Sequence, residues 1–458
     1  MALNVQDYDK NRARRFPAGN WAGEAFWVGF GIITGVLALV VGTRFLTHLL
    51  PPDEYGKLAL AISLTTLAVM IFGDPVGKTA VRFYSLWYTA GKPSGFLQNL
   101  GKSLVLSMGG IGLCGIIAMV CSHYFQAVTG MYLILATGIF ACILVFNRVA
   151  VALEDAARER RFRGLLQGGF EILRFGSAVG LIIVFTLPAA ETVLTGFVLA
   201  GILVVMVHGI FLYRLFHGDR AETNNPAHPD GEMDIARMRS FQSPLVVSSI
   251  CVWLVMMAER WTLQYFGSQQ DVGGYAAVYQ LAFVPMLLVS NFMVLLIEPV
   301  LYQVVEPGGK TVSSDQKQRI NNFAVLGVII FSAFLFVLLF FTYPAAGNLL
   351  LGVEFRGYSW MFPWLFLAGG CFAAARQLLL KFSYDMRTDL LAKIWGVFAA
   401  AAVVAYATGA FYWQAKGILA AVVGVNVALL VFSLVFVNIR HAAENAENDT
   451  RNKMSSGG

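Results

Sequence analysis

The sequence is short of charge. Only 13% of its 458 residues are Asp, Glu, Lys or Arg, about half of what a soluble domain carries. With 57% hydrophobic residues and a mean hydropathy of +0.66, that shortage excludes a soluble globular protein and indicates an integral membrane chain. Cysteine is also sparse. Cys114, Cys121, Cys142, Cys251 and Cys371 are odd in number and all lie in apolar stretches. They read as small buried hydrophobes, which excludes a disulfide framework. Of the six histidines only His48 and His208 fall in apolar segments. Neither has a partner at ligand spacing, so no metal site is expected. The sequence lacks G-x-x-x-x-G-K-[ST], H-E-x-x-H and G-x-S-x-G, which argues against ATP hydrolysis and the common hydrolase chemistries. No cofactor is expected.

What the chain has instead is long apolar runs. The organising stretch is a hairpin over residues 22–88. Phe26 to Leu50 carries one charge, Arg44, and breaks at Pro51-Pro52-Asp53-Glu54-Tyr55-Gly56. Leu58 to Trp87 follows, interrupted by Asp74, Lys78 and Arg82. Each run exceeds the roughly 20 residues that cross a bilayer, and two prolines cannot continue a helix. Further apolar segments fall at about 103–122, 130–153, 165–187 and 192–216, then at 241–266, 273–304, 322–343, 357–380, 391–413 and 417–438. The expected architecture is all-α, with about twelve transmembrane helices in two six-helix lobes. Residues 1–20 form a basic tail, 21–216 the first lobe, 217–238 a polar linker, 239–440 the second lobe and 441–458 a disordered tail.

The net charge of +6 is explained by topology, and no nucleic-acid partner is expected. Of the 33 Lys and Arg residues, 26 sit at one side of this arrangement and three (Lys57, Arg356, Lys416) at the other. By the positive-inside rule both termini are cytoplasmic, and the first apolar run is a retained span rather than a secretory signal. The halves also echo each other. Arg44, Tyr55 and Lys78 in the first correspond in order to Arg260, Tyr275 and Glu298 in the second, as a parallel repeat about an axis normal to the membrane would give.

Four stretches carry a resemblance to a known family. TRFLTHLLPPDEYGKLALAISL is similar to an "R-x-L-x-x-x-L-x-P-x-x-Y-G" entry into the second helix. GDPVGKTAVRF resembles the "D-x-G-x-x-x-x-x-R" end of that helix, with Gly77 one place late. AERWTLQYFGSQQDVGGYAAVYQLA looks like the corresponding junction of the second half, and KGILAAVVGVNVALL like the small-residue final pair. The family is the polysaccharide transporters of the multidrug/oligosaccharidyl-lipid/polysaccharide flippase superfamily. The resemblance implies two lobes around a central cavity in a bacterial cytoplasmic membrane. It further implies transport of a polyprenyl-pyrophosphate-linked oligosaccharide, such as an O-antigen or exopolysaccharide precursor, to the outer leaflet. Its partners would be the lipid-linked glycan, membrane lipid, and a glycan polymerase or export machinery.

Such a cargo needs a wet, cationic cavity, because a bare diphosphate in hydrocarbon costs many kcal/mol. Candidate cations are Arg44, Lys78, Arg148 and Arg260. Arg44 and Arg260 either face the cargo or pair with Glu54 and Glu259. Asp74 and Lys78, four residues apart on one helix face, either neutralise each other or act as gate and ligand. Asp74, Glu259 and Glu298 are the candidate coupling or gating groups. Arg82, Arg376 and Lys381 read as topology determinants, and the run Glu154–Arg163 as an amphipathic helix on the membrane surface. The alternatives are a drug exporter on the same scaffold, which anionic cavity residues would favour, and a membrane glycan polymerase or glycosyltransferase. The second is disfavoured because no expected outer connection exceeds about fifteen residues, too short for a folded loop. No enzymatic activity is expected.

Overall fold

The computed structural model describes residues 21–89, 93–124, 130–157, 159–218, 231–301, 314–384 and 388–456. Among these residues there is no strand. The helices are α1 (Trp21–Leu49), α2 (Pro52–Ala68), α3 (Asp74–Thr89), α4 (Pro93–Tyr124), α5 (Met131–Ala156), α6 (Arg160–Phe185), α7 (Ala190–Gly218), α8 (Gly231–Phe266), α9 (Gln269–Leu301), α10 (Ser314–Leu350), α11 (Phe362–Tyr384) and α12 (Thr388–Ser456).

The expected first hairpin is present. Pro51 caps α2 in an extended conformation, and Pro52 takes the first helical position, where its missing N–H costs nothing and its fixed φ suits the helix. Asp53 and Glu54 follow in the first turn, where carboxylates complement the positive end of the helix dipole. Five residues of π-helix, Val69–Gly73, then join α2 to α3 into one crossing.

Among the described residues eleven helices are long and apolar enough to cross a membrane, and the last of these, Asp389–Arg440, is 52 residues long. It is broken at Gln414 (φ 46°, ψ −129°), which folds it into two legs and makes twelve crossings. Gly409 and Gly417 meet across that turn: a Cβ on Gly417 would lie 1.9 Å from the carbonyl oxygen of Gly409. The polar segment after His441, expected to be a disordered tail, continues as helix to Ser456. Ala442, Ala443, Glu444, Ala446 and Glu447 are good helix formers, and polarity alone does not end a helix.

The packing repeats between the halves. In the first, α1 lies on α6, α3 on α5, and α5 on α7; in the second, α8 lies on α12, α9 on α11, and α11 on α12. Tyr279 stacks on Phe283 at 4.4 Å along α9, and Phe283 continues to Phe372 and Trp395 in the core of the second half. Bulky residues such as Leu106, Ile183, Phe341, Val404 and Phe411 are exposed around the perimeter, as side chains in contact with lipid tails would be.

The halves close tightly on each other at the end of the bundle that carries Pro52. A Cβ on Gly273 would fall 1.8 Å from the carbonyl oxygen of Pro52, and one on Gly56 would fall 2.3 Å from that of Gln269. The Gly352 N–H donates to Thr47 Oγ1 at 3.0 Å. Below this contact the indoles of Trp253 and Trp261 donate to the carbonyl and hydroxyl of Ser63, at 2.8 and 3.0 Å. Because lipid tails are as apolar as leucine, such close backbone approach and interhelical hydrogen bonds hold membrane helices together.

Candidate functional site

The polar residues between the halves fall into two clusters. Along the second crossing, Tyr55 and Asp74 mark them about 28 Å apart at the rise of an α-helix.

The cluster near the Pro52 end centres on α8. Glu259 and Arg260 are 1% and 3% exposed. Their closest approach is 3.6 Å, too long for a hydrogen bond, and neither carboxylate oxygen of Glu259 has a partner. The Arg260 guanidinium lies 4.7 Å from the ring centre of Tyr279, a cation–π contact that partly replaces its lost hydration. Tyr406 donates to the Val255 carbonyl at 2.7 Å and Tyr279 to that of Met256 at 3.3 Å, whereas the Tyr275 hydroxyl has no partner. Tyr55, from the first half, lies within electrostatic reach of Arg260 and Arg174. Arg174 itself pairs with Glu171 and sits 4.8 Å over Phe175 and 5.1 Å over Phe197.

Arg44 belongs to neither group by direct contact. It is half-buried, and its Nη1 has no hydrogen-bond partner. Pairing with Glu54 is not what the structure shows, because Glu54 accepts from Lys57 at 2.5 Å and from the Ala190 N–H at 3.0 Å. Those partners lie within a few residues of the same helix end, whereas Arg44 starts a full turn or more away.

The second cluster follows the π turn. Asp74 Oδ1 accepts from Arg148 Nε at 2.5 Å. The hydrogen-bonding partner of Asp74 is thus an arginine from α5 rather than Lys78, which is exposed and stays within electrostatic reach of the carboxylate. This is possible because α3 packs on α5 through Gly73 and Gly77, which face Arg148 and Ala152. Arg376 of α11 lies within electrostatic reach of Asp74, Arg148 and Lys78, and it donates to Asn291 of α9. Among the described residues three cations drawn from both halves lie around Asp74, and Asp155 of α5 is a second carboxylate within electrostatic reach of Arg148. The side chain of Arg148 is 48% exposed and that of Asp74 20%, so the group is not sealed inside the bundle.

The structure brings together Lys78, Arg148 and Asp74 from the sequence expectations, and separately Glu259 and Arg260. Glu298 lies outside the described side chains. Arg376, read from sequence as a topology determinant, is part of the cationic cluster. Asn291, an amide in the apolar later part of α9, was the available signal for it. Also unforeseen is a buried pair in the first half. His208 Nδ1 and Glu154 Oε1 are 2.5 Å apart, with side chains 2% and 0% exposed. The run Glu154–Arg163 is not a separate surface helix: Glu154 and Asp155 end α5, Arg160 begins α6, and Arg163 reaches back to Asp155 at 2.5 Å. That ion pair folds the run into a tight corner. Among the described residues there is no group of three or more metal-ligating side chains.

The architecture is that of a known class of membrane transporters. A multidrug resistance MATE family transporter of the MOP superfamily, in its outward-facing conformation, superposes with a TM-score of 0.61 at 13% identity, covering 93% of this chain and 97% of the other. A MOP superfamily transporter from Pyrococcus furiosus, described as having a binding pocket of reversed polarity, gives 0.63 at 13% identity over 93% and 97%. The Vibrio cholerae MATE transporter VcmN, in its bent form, gives 0.55 at 13% identity over 93% and 98%. These likenesses define the fold. A search of curated proteins gave no match. Residues 22–304 match the polysaccharide biosynthesis protein family. That is more than half of the chain, and the protein belongs to this family.

Proposed function

We propose that this protein is a flippase that moves a polyprenyl-diphosphate-linked oligosaccharide from the cytoplasmic to the outer leaflet of a bacterial inner membrane. It works by alternating access between the two lobes, without chemical change to the cargo. The observation that carries this reading is the gathering of three cations, Lys78, Arg148 and Arg376, around the carboxylate of Asp74, with Asp155 as the other acidic group near Arg148. Charges this deep in a bundle are expensive unless they are balanced, and a diphosphate supplies the missing negative charge. Arginine forks suit its oxygens, and the lysine is a mobile point charge.

On the positive-inside reading of the sequence, the Pro52 end would face the outside. With that end closed and the Asp74 cluster open, the cationic site would accept its headgroup from the cytoplasm while the prenyl tail stays in lipid. Arg44 and Arg260, nearer the outside, would receive the diphosphate as the lobes exchange access. Glu259, buried without a hydrogen-bond partner, is the group best placed to couple that exchange to an ion or proton.

Mass spectrometry of polyprenyl-diphosphate lipids from cells with and without the gene tests this reading. Fully assembled oligosaccharide accumulating on the lipid in the deletion strain is the expected result. Unchanged lipids would overturn it in favour of a small-molecule exporter, and truncated oligosaccharides in favour of an enzyme.

A further inference from the structure

On the flank of the first half, α4 packs chiefly on α3, the π turn and α5, and its outer side is open. An apolar groove of about 750 Å3 runs along it. Phe72 of the π turn forms one wall, and Leu106, Gly109, Gly110 and Leu113 of α4 form the floor and the other wall, with Lys102 at one end. The space over Gly109 is open: a Cβ there would meet nothing within 4 Å, so a larger side chain at this position would project into the groove. Gly110 lies against the tip of Phe72, where a Cβ would come within 3.2 Å of the ring. No acidic residue lines the groove. Lys102 is exposed, and among the described residues it has no ion pair.

The antiparallel contact between Phe72 and Gly110 sets the depth. Eight residues further in each direction, Lys102 comes level with the turn of α3 near Ala80, between Lys78 and Arg82. That is the boundary where lipid headgroups lie if Arg82 marks the membrane surface. From Lys102 to Leu113 the groove extends about 16 Å into the hydrocarbon at the helical rise, enough for roughly a dozen methylenes of one chain. A basic residue at the mouth of an apolar groove between helices is the arrangement that holds anionic lipid headgroups.

We propose that this groove is a binding site for one anionic glycerophospholipid, with an acyl chain along Leu106, Gly109 and Leu113 against Phe72 and the phosphate on Lys102. A single cation and a groove of this length suit one phosphodiester and one acyl chain, rather than a diphosphate on a much longer prenyl tail. The site does not depend on what the protein transports. By lying against Phe72, the lipid also braces the π turn that precedes Asp74.

The test is native mass spectrometry of the full chain released from nanodiscs of equal phosphatidylglycerol and phosphatidylethanolamine. Wild type and a control at another exposed basic position, Lys393→Gln, should retain one lipid with preference for phosphatidylglycerol. Lys102→Gln should reduce that preference about fivefold, and Gly109→Leu, which fills the recess, should lose the bound lipid of either headgroup. Both positions face lipid, and gel filtration checks that each variant is folded. Spectra of Lys102→Gln and Gly109→Leu identical to wild type would overturn the proposal. So would a polyprenyl phosphate as the retained species in protein taken from cells.

Discussion

Replacing Gly273 with alanine should force the two halves apart at the Pro52 end. The added Cβ would sit 1.8 Å from the carbonyl oxygen of Pro52, 2.8 Å from its carbon and 3.0 Å from the backbone nitrogen of Gly56. An ordinary non-bonded contact is about 3.5 Å, so α9 and α2 must separate by about 1.5 Å. All three atoms are backbone, and no rotamer change relieves the clash. Overpacking of this kind costs about 1–3 kcal/mol, which corresponds to about a 5- to 150-fold shift between two conformations that differ at this contact. Gly56→Ala meets the same interface from the other side, 2.3 Å from the Gln269 carbonyl oxygen. Its effect should therefore not add fully to that of Gly273→Ala. Pulsed electron paramagnetic resonance can read the separation. Spin labels would be placed at Leu187→Cys and Trp413→Cys, both exposed and in opposite halves, with the native cysteines replaced by serine. The longer-distance population should rise in each glycine variant, and transport should slow because the closed state is harder to regain. An unchanged distance distribution in folded protein would refute the reasoning that these glycines seal the interface.

Further substitutions probe the charged groups within the bundle. Arg376→Gln should reduce cargo export about 10- to 150-fold, the equivalent of one charge-assisted hydrogen bond of about 1.5–3 kcal/mol, and Lys78→Gln should behave similarly. The readout is accumulation of lipid-linked oligosaccharide, with Lys416→Gln as an unaffected control; normal export in Arg376→Gln would return that residue to a purely topological role. His208→Leu should destabilise the first half by about 1–3 kcal/mol, because it leaves a buried Glu154 oxygen without its hydrogen-bond partner. Glu154→Leu combined with His208→Leu should recover much of that loss. Thermal unfolding in detergent measures both, and an unmoved midpoint in the single variant would show that the pair carries no such energy.

The crossings were legible because hydropathy is a local property: a run such as Phe26–Leu50 declares itself without reference to any other segment. The pairing of buried charges was not, because it is decided by which helices meet. Asp74 and Lys78 are neighbours by spacing, yet Asp74 is held by Arg148 from α5. His208, without a partner at any short spacing, meets Glu154 from 54 residues away. The π turn at Val69–Gly73 leaves no signature in a run of apolar residues, although it sets the face on which Asp74 emerges. These rearrangements change the functional argument as well as its details. Counted along the chain, the candidate cations Arg44, Lys78, Arg148 and Arg260 outnumber Asp74, Glu259 and Glu298 by only four to three, a thin margin whose sign favours an anionic cargo. In the folded protein Glu259 lies with Arg260 near the Pro52 end, and Arg376 joins Lys78 and Arg148 around Asp74. Among the described residues that cluster sets three cations around Asp74, with Asp155 near Arg148 as the other carboxylate. An anionic headgroup is the cargo that such a site would stabilise, and a cationic drug is one it would repel.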